Sequence, residues 1–166
     1  AYTLQHPNCT IDAAETIEAG IRTVCRRLRT PKGELRELAQ YEPTFGGVSL
    51  KEHYIKALED YEVYFSFLDD ITVVPNPEPL ERALDELGDD GLPHTWVGRT
   101  PYQKLWIELV DIMDLSAHFI EAPELVETAI GKLEELILEM TRVTLSLDPP
   151  YLVIGDNITA PMRSEE

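Results

Sequence analysis

The chain has 166 residues, 43% of them apolar and 27% charged, which is enough to bury a core in one domain. Its 31 acidic residues against 14 basic ones give a net charge of −17, a field that opposes DNA, RNA and anionic membranes. No apolar run reaches the roughly 18 residues of a membrane span. The first residues lack the basic and apolar segments of a secretory signal, so a cytoplasmic location is expected.

The two cysteines, Cys9 and Cys25, form no Cys-x-x-Cys motif, and no histidine pair stands at metal-ligand spacing. Reduced thiols, at least one partly buried, are the expectation, with a disulfide or a metal site as the alternatives. Residues 10–17 and 21–30 are rich in β-branched and small side chains, and Gly20 supplies a turn between them. Pro31-Lys-Gly33 is a second turn signal, because proline presets φ and glycine accepts a positive one. Residues 34–41 then continue as a third strand of an antiparallel meander, although Glu-Leu-Arg-Glu-Leu-Ala-Gln also suits a helix. Arg22, Arg26, Arg27, Arg29, Lys32 and Arg36 cluster here. They read as one solvated strand face, or else as a patch that meets carboxylates or phosphates.

From residue 48 onward the pattern changes to β/α units. Ser49 precedes Glu52 by the spacing of a capping box, which predicts a helix start. Leu58, Tyr61, Tyr64, Phe65 and Leu68 keep helical spacing over 57–69. Residues 71–74 are a short strand or extended link, stopped by Pro75, Pro77 and Pro79, which delete three donors. A short helix over 80–87 ends at Gly88-Asp-Asp-Gly91. Residues 94–98 read as a buried strand, and Pro101 opens a helix where its missing N–H is harmless. That helix carries Leu105, Trp106, Leu109 and Val110 on its apolar stripe, and a break or second short helix covers 115–122. Pro123 opens the longest helix, whose stripe from Leu125 to Leu147 spans about six turns. Asp148-Pro-Pro150 ends it, and residues 152–154 form a last strand. Strand, helix, helix, strand is a crossover unit, so the last strand is expected to lie parallel to 94–98.

Ligands of α/β proteins sit at the carboxyl ends of parallel strands. That rule singles out Asp156 and Asn157 after the last strand and Arg99 after 94–98. Asp156 is the candidate catalytic residue; the alternative is a cap on the next helix or a pair with a base of a neighbouring strand. Asn157 and Arg99 are candidate substrate-binding residues. Arg99 would hold a carboxylate through its planar fork, or else a salt bridge to Glu108 or Asp111. Trp96 and Trp106 read as core, and His94 and His118 lack partners at ligand spacing, so no metal residue is assigned. The last strand has no helix after it and the chain has no initiator methionine, so an incomplete domain is expected. The expected fold is α/β: a partial (β/α)8 TIM barrel with an N-terminal antiparallel β-meander, 1–47 forming the meander and 48–166 the β/α units.

Five segments carry a resemblance. They are Arg29-Thr-Pro-Lys-Gly-Glu-Leu35, Lys56-Ala-Leu-Glu-Asp60, Val97-Gly-Arg-Thr-Pro101, Ala122-Pro-Glu-Leu-Val126 and Leu152-Val-Ile-Gly-Asp156. In this order and at these distances the chain resembles the uroporphyrinogen decarboxylase superfamily, which includes haem-pathway decarboxylases and cobalamin- or coenzyme M-linked methyltransferases. The resemblance implies an internal part of a (β/α)8 barrel with its site at the strand carboxyl ends. It implies a small-molecule substrate, either a tetrapyrrole carboxylate or a methyl donor with its corrinoid protein, and neither nucleic acid nor membrane. As a lyase the family needs no cofactor: basic groups hold acetate and propionate arms, and an acid, matched by Asp156, stabilises the cation formed on ring protonation. As a methyltransferase it uses zinc to make a thiol into a thiolate, with a corrinoid as partner. Two positions depart from the decarboxylase pattern: Asn157 stands where it has serine and Ile107 where it has tyrosine. The family's N-terminal arginine-rich segment and aspartate would precede Ala1, and its His-x-Cys and later Cys zinc ligands would follow Glu166. The expected function is a uroporphyrinogen decarboxylase-like protein acting on a tetrapyrrole carboxylate. The alternatives are a zinc- or cobalamin-dependent methyltransferase, or a non-catalytic fragment or corrinoid- or partner-binding relative.

Overall fold

The computed structural model describes residues 1–44 and 47–156. In chain order its strands are β1 (Tyr2–Gln5), β2 (Thr10–Glu18), β3 (Ile21–Thr30), β4 (Gly33–Tyr41), β5 (Val48–Glu52), β6 (Thr72–Pro75), β7 (His94–Gly98) and β8 (Tyr151–Ile154). The helices are α1 (Asp60–Asp70), α2 (Glu78–Leu87), α3 (Pro101–Lys104), α4 (Ile112–Glu121) and α5 (Pro123–Leu145). A π-helical turn, Leu105–Leu109, continues α3.

Helix α5 is the spine. Its spacing places Val126, Ala129, Leu133, Ile137, Met140 and Thr144 on one stripe, and all are buried. The amino-terminal half of that stripe, Val126 to Leu133, packs with Leu28, Leu35, Tyr61, Leu105 and Leu115 in the larger core. The carboxyl-terminal half, Ile137 and Met140, packs with Val97 in a smaller core that Tyr2, Leu4, Val73 and Leu152 flank. One helix thus joins two apolar clusters.

Strands β2, β3, β4 and β5 form an antiparallel sheet in sequence order. Its inner face carries Leu28 opposite Leu35 and Val24 opposite Ala39, and these four are buried. Strand β2 lies at the edge and is exposed along its whole length. Segment 48–52, where capping-box spacing predicts a helix start, is strand β5 instead. Pairing Leu50 with Ala39 and Ser49 with Gln40 satisfies its backbone and overrides the local signal. Strand β1 pairs antiparallel with β6, and Asp70 fastens the chain beyond it by accepting from Asn8 N (2.8 Å) and Asn8 Nδ2 (2.7 Å).

Strands β7 and β8 pair in parallel, joined by α3, the π turn, α4 and α5. They do not belong to a (β/α)8 barrel, partial or otherwise. Among the described residues the strands form one four-stranded antiparallel sheet and two separate two-stranded sheets, and β1–β6 is antiparallel. A crossover between two parallel strands is a local unit, whereas a barrel needs each strand bonded on both edges. Here β7 and β8 bond only each other. Neither is covered on both sides: Thr95 and Val97 point into the smaller core, while Trp96, expected in the core, is 49% exposed. The Tyr2 hydroxyl donates to Val97 O at 2.9 Å and ties β1 to this pair.

The end of the pair depends on two glycines. Gly98 holds φ at +131°, a region that L side chains avoid, and its carbonyl accepts from Gly155 N at 2.9 Å. The Trp96 indole lies across Gly155, where a Cβ would come within 2.5 Å of Cζ3 and nearer still to Cη2. Gly155→Ala is therefore expected to swing the half-exposed indole outward and to cost about 1–3 kcal/mol of stability. Urea unfolding measures the cost, and an unmoved Trp96 indole resonance would contradict the stacking.

Candidate functional site

The arginine-rich cluster of the meander is not an open anion patch. Arg22 pairs with Glu15 (2.7 Å), Arg26 with Glu37, Arg29 with Asp12 and Glu34, Lys32 with Glu62 (2.8 Å) and Arg36 with Glu52 (3.5 Å). Cross-strand register places several of these partners opposite one another, Arg26 facing Glu37 and Arg29 facing Glu34.

A cleft of about 510 Å³ opens beside the carboxyl end of β7. The sheet supplies Glu37, Val48 and Leu50, the link after β5 supplies His53, and the residue after β7 supplies Arg99. Trp106, Ile107 and Glu108 line it from the π turn, and Asp111 and Ile112 from the start of α4. The π turn explains that contribution. Val110 N donates to Leu105 O at 2.9 Å, one residue further than an α-helix allows, so the turn is widened. Leu105 and Leu109 anchor it in the core while three consecutive residues between them reach the cleft. In an α-helix the first and third of these would diverge by about 200°.

Charges in the cleft are held in defined pairs. Glu37 is only 7% exposed, and Arg26 neutralises it while also donating to the Tyr41 hydroxyl at 3.2 Å. Glu108 accepts from Lys104 Nζ at 2.6 Å and lies 3.4 Å from Arg99 Nε. Asp111 caps α4 through Met113 N at 2.9 Å. Burial, then the charge of Glu37, pushes the Tyr54 hydroxyl up to about 12. Burial, then Glu108, pushes Tyr64 up as well.

Of the residues picked out by sequence, Arg99 lines this cleft and makes the Glu108 salt bridge weighed for it. Asp156 is exposed and is not part of the lining. Its Oδ1 accepts from Thr100 N at 3.1 Å, at the amino end of α3, where a negative charge is favoured. Asn157 lies outside the described residues. Trp106 is partly buried against the larger core and also faces the cleft. His118 is in the core, its Nδ1 3.3 Å from the Tyr61 hydroxyl, and His94 is exposed on β7. Among the described residues no group of three His, Cys, Asp or Glu side chains is placed to hold a metal ion. No helix among them is long and apolar enough to cross a membrane.

Sequence reasoning missed Glu37 and His53. Glu37 had a signal: in a strand it falls on the same face as Leu35 and Ala39, so a charge stands where the pattern asks for an apolar residue. His53 had none, because only the docking of its segment onto the π turn brings it to the cleft. No family model, curated protein or solved structure matches the chain.

Proposed function

We propose that the chain binds a carboxylate-bearing small molecule in the cleft beside β7, in the manner of a uroporphyrinogen decarboxylase-like protein recognising an acetate or propionate arm of a pyrrole. The observation that carries this reading is Arg99. Its guanidinium follows a parallel strand, is 28% exposed, and uses Nε on Glu108, which leaves the rest of the fork toward a cleft walled by Trp106, Ile107, Val48 and Leu50. A volume of about 510 Å³ lies within the usual span for small-molecule sites, about 300–1,000 Å³. An apolar wall beside a cation suits a flat ring with an acidic arm. Asp156 enters as a positioning residue: by holding Thr100 N it fixes the turn that carries Arg99. Neither cysteine lines the cleft, so the chain's own thiols do not favour the methyl-transfer form.

Porphobilinogen, a single pyrrole with one acetate and one propionate arm, is a suitable probe. Titrated into labelled protein, it is expected to shift the Trp106 indole N–H resonance saturably and to leave that of Trp96, which is not part of the cleft lining, in place. Arg99→Gln should weaken binding about tenfold or more, the loss of one charge-assisted hydrogen bond. Absence of a saturable Trp106 shift at millimolar probe would overturn the reading.

A further inference from the structure

Among the ionisable side chains that wall the cleft, His53 stands apart. Glu37 is engaged by Arg26, Glu108 by Lys104 and Arg99, and Asp111 by the backbone of α4. His53 has no hydrogen-bond or ion-pair partner among the described residues. The backbone nevertheless fixes its place. Two residues later Ile55, 1% exposed, donates its N–H to Leu109 O at 2.9 Å and bridges Val110 in parallel. His53 is thereby held beside the π turn, partly buried, lining both the main cleft and a neighbouring hollow of about 290 Å³.

We propose that His53 is the proton-binding contact of the cleft: as imidazolium it pairs with a carboxylate of the ligand, so that carboxylate binding tightens as pH falls through its titration. This rests on the reading of the cleft as a carboxylate site. The charges around His53 make the step count. From β4, β5, the π turn and α4 it is faced by Glu37, Glu52, Glu108, Asp111 and Asp114. Against these five carboxylates stand Lys51, Lys56 and Arg99. An incoming carboxylate therefore meets a site with more negative than positive groups, and a proton on His53 adds the cation that offsets one of them. Imidazole is the side chain that ordinarily changes charge between about pH 5 and 8, and the other groups named keep theirs there. The sign follows from linkage: a bound anion favours imidazolium, so the ligand raises the affinity of His53 for its proton, and the proton raises the affinity for the ligand by the same factor.

The test is porphobilinogen affinity, read from the Trp106 indole resonance, at about pH 5.5 and about pH 8. In that range the probe's carboxylic acids, near 4, and its amine, near 10, hold their charges. Wild-type protein should bind about fivefold or more tightly at the lower pH. His53→Gln should bind weakly at both, and His53→Lys, with a permanent cation, tightly at both. The His53 ring-proton titration, followed by NMR in the wild-type chain, should move to higher pH when the probe is added; this readout needs no variant to fold. A pH-dependent affinity that persists in His53→Gln, or a His53 titration indifferent to the probe, overturns this inference and leaves the cleft reading intact. If the wild-type Trp106 resonance does not respond at all, both fall together.

Discussion

Tyr61→Ala is expected to lower stability by about 3–5 kcal/mol, the range for deleting a fully buried aromatic ring. Tyr61 is 0% exposed and has no route to solvent that would let the site collapse cheaply. Its ring meets His118 edge-on at 5.5 Å and Phe65 at 6.1 Å, joining α1 to α4. Its hydroxyl lies 3.3 Å from His118 Nδ1. Tyr61→Phe keeps the ring and removes that contact, leaving one buried nitrogen without its partner, so a loss of about 1–2 kcal/mol is expected. Urea unfolding followed by circular dichroism separates the two; equal losses would mean the hydroxyl, not the ring, holds this corner. The alkaline limb gives a second readout. Burial pushes the Tyr61 hydroxyl up to about 12 from an ordinary 10.0. The folded chain therefore holds that proton more tightly than the unfolded one. Its contribution is complete below pH 10 and is lost as pH rises toward 12. Tyr61→Phe should flatten that limb in part, because Tyr54 and Tyr64 share its cause.

The second large effect lies under the meander. Arg26→Met should cost about 2–3 kcal/mol, because it leaves the Glu37 carboxylate buried without its counter-ion. The figure sits below the usual range for a broken buried pair because the Arg26 side chain is 33% exposed and water screens part of the interaction. Glu37→Gln should cost less, since Arg26 keeps the Tyr41 hydroxyl and some solvent. Combining Arg26→Met with Glu37→Leu should restore most of the loss, as apolar replacement of a buried ion pair usually does. A double-mutant cycle in urea measures this. Additive losses would show that the two side chains act independently, whatever their proximity.

These two sites also show what a sequence makes visible. The α1 stripe that contains Tyr61 and the α5 stripe from Val126 to Met140 are periodic over enough turns to be read directly, and Pro101 and Pro123 mark helix starts by chemistry alone. The Pro31-Lys-Gly33 turn places β3 beside β4, and with it Arg26 beside Glu37, once a strand is accepted there. What stayed hidden was non-local. Strand β1 is four residues long and finds its partner only through Leu4 opposite Val73. Strand β5 contradicts its own capping signal because β4 offers it a ladder. The parallel relation of β7 and β8 is a property of the crossover between them, but the sheet to which such a pair belongs is not encoded in either strand, and the barrel expectation failed at that step. For the site, Arg99 was legible from its position after a strand, while His53 and the π turn were not, since neither carries a residue type that announces it.

The turn at Leu105–Leu109 has a consequence for how this surface can change over generations. Each residue advances an α-helix by about 100°. Losing one codon within this stretch would let it rewind as regular α-helix and rotate everything before it against everything after it by about that angle. Arg99 and Lys104 stand on one side of the extra residue and their shared partner Glu108 at its far end. Their meeting is thus a matter of phase, set by how many residues are present more than by which ones. Substitutions can drift through Trp106 and Ile107 and retain the clamp, whereas a deletion that leaves every other side chain unchanged would dismantle it.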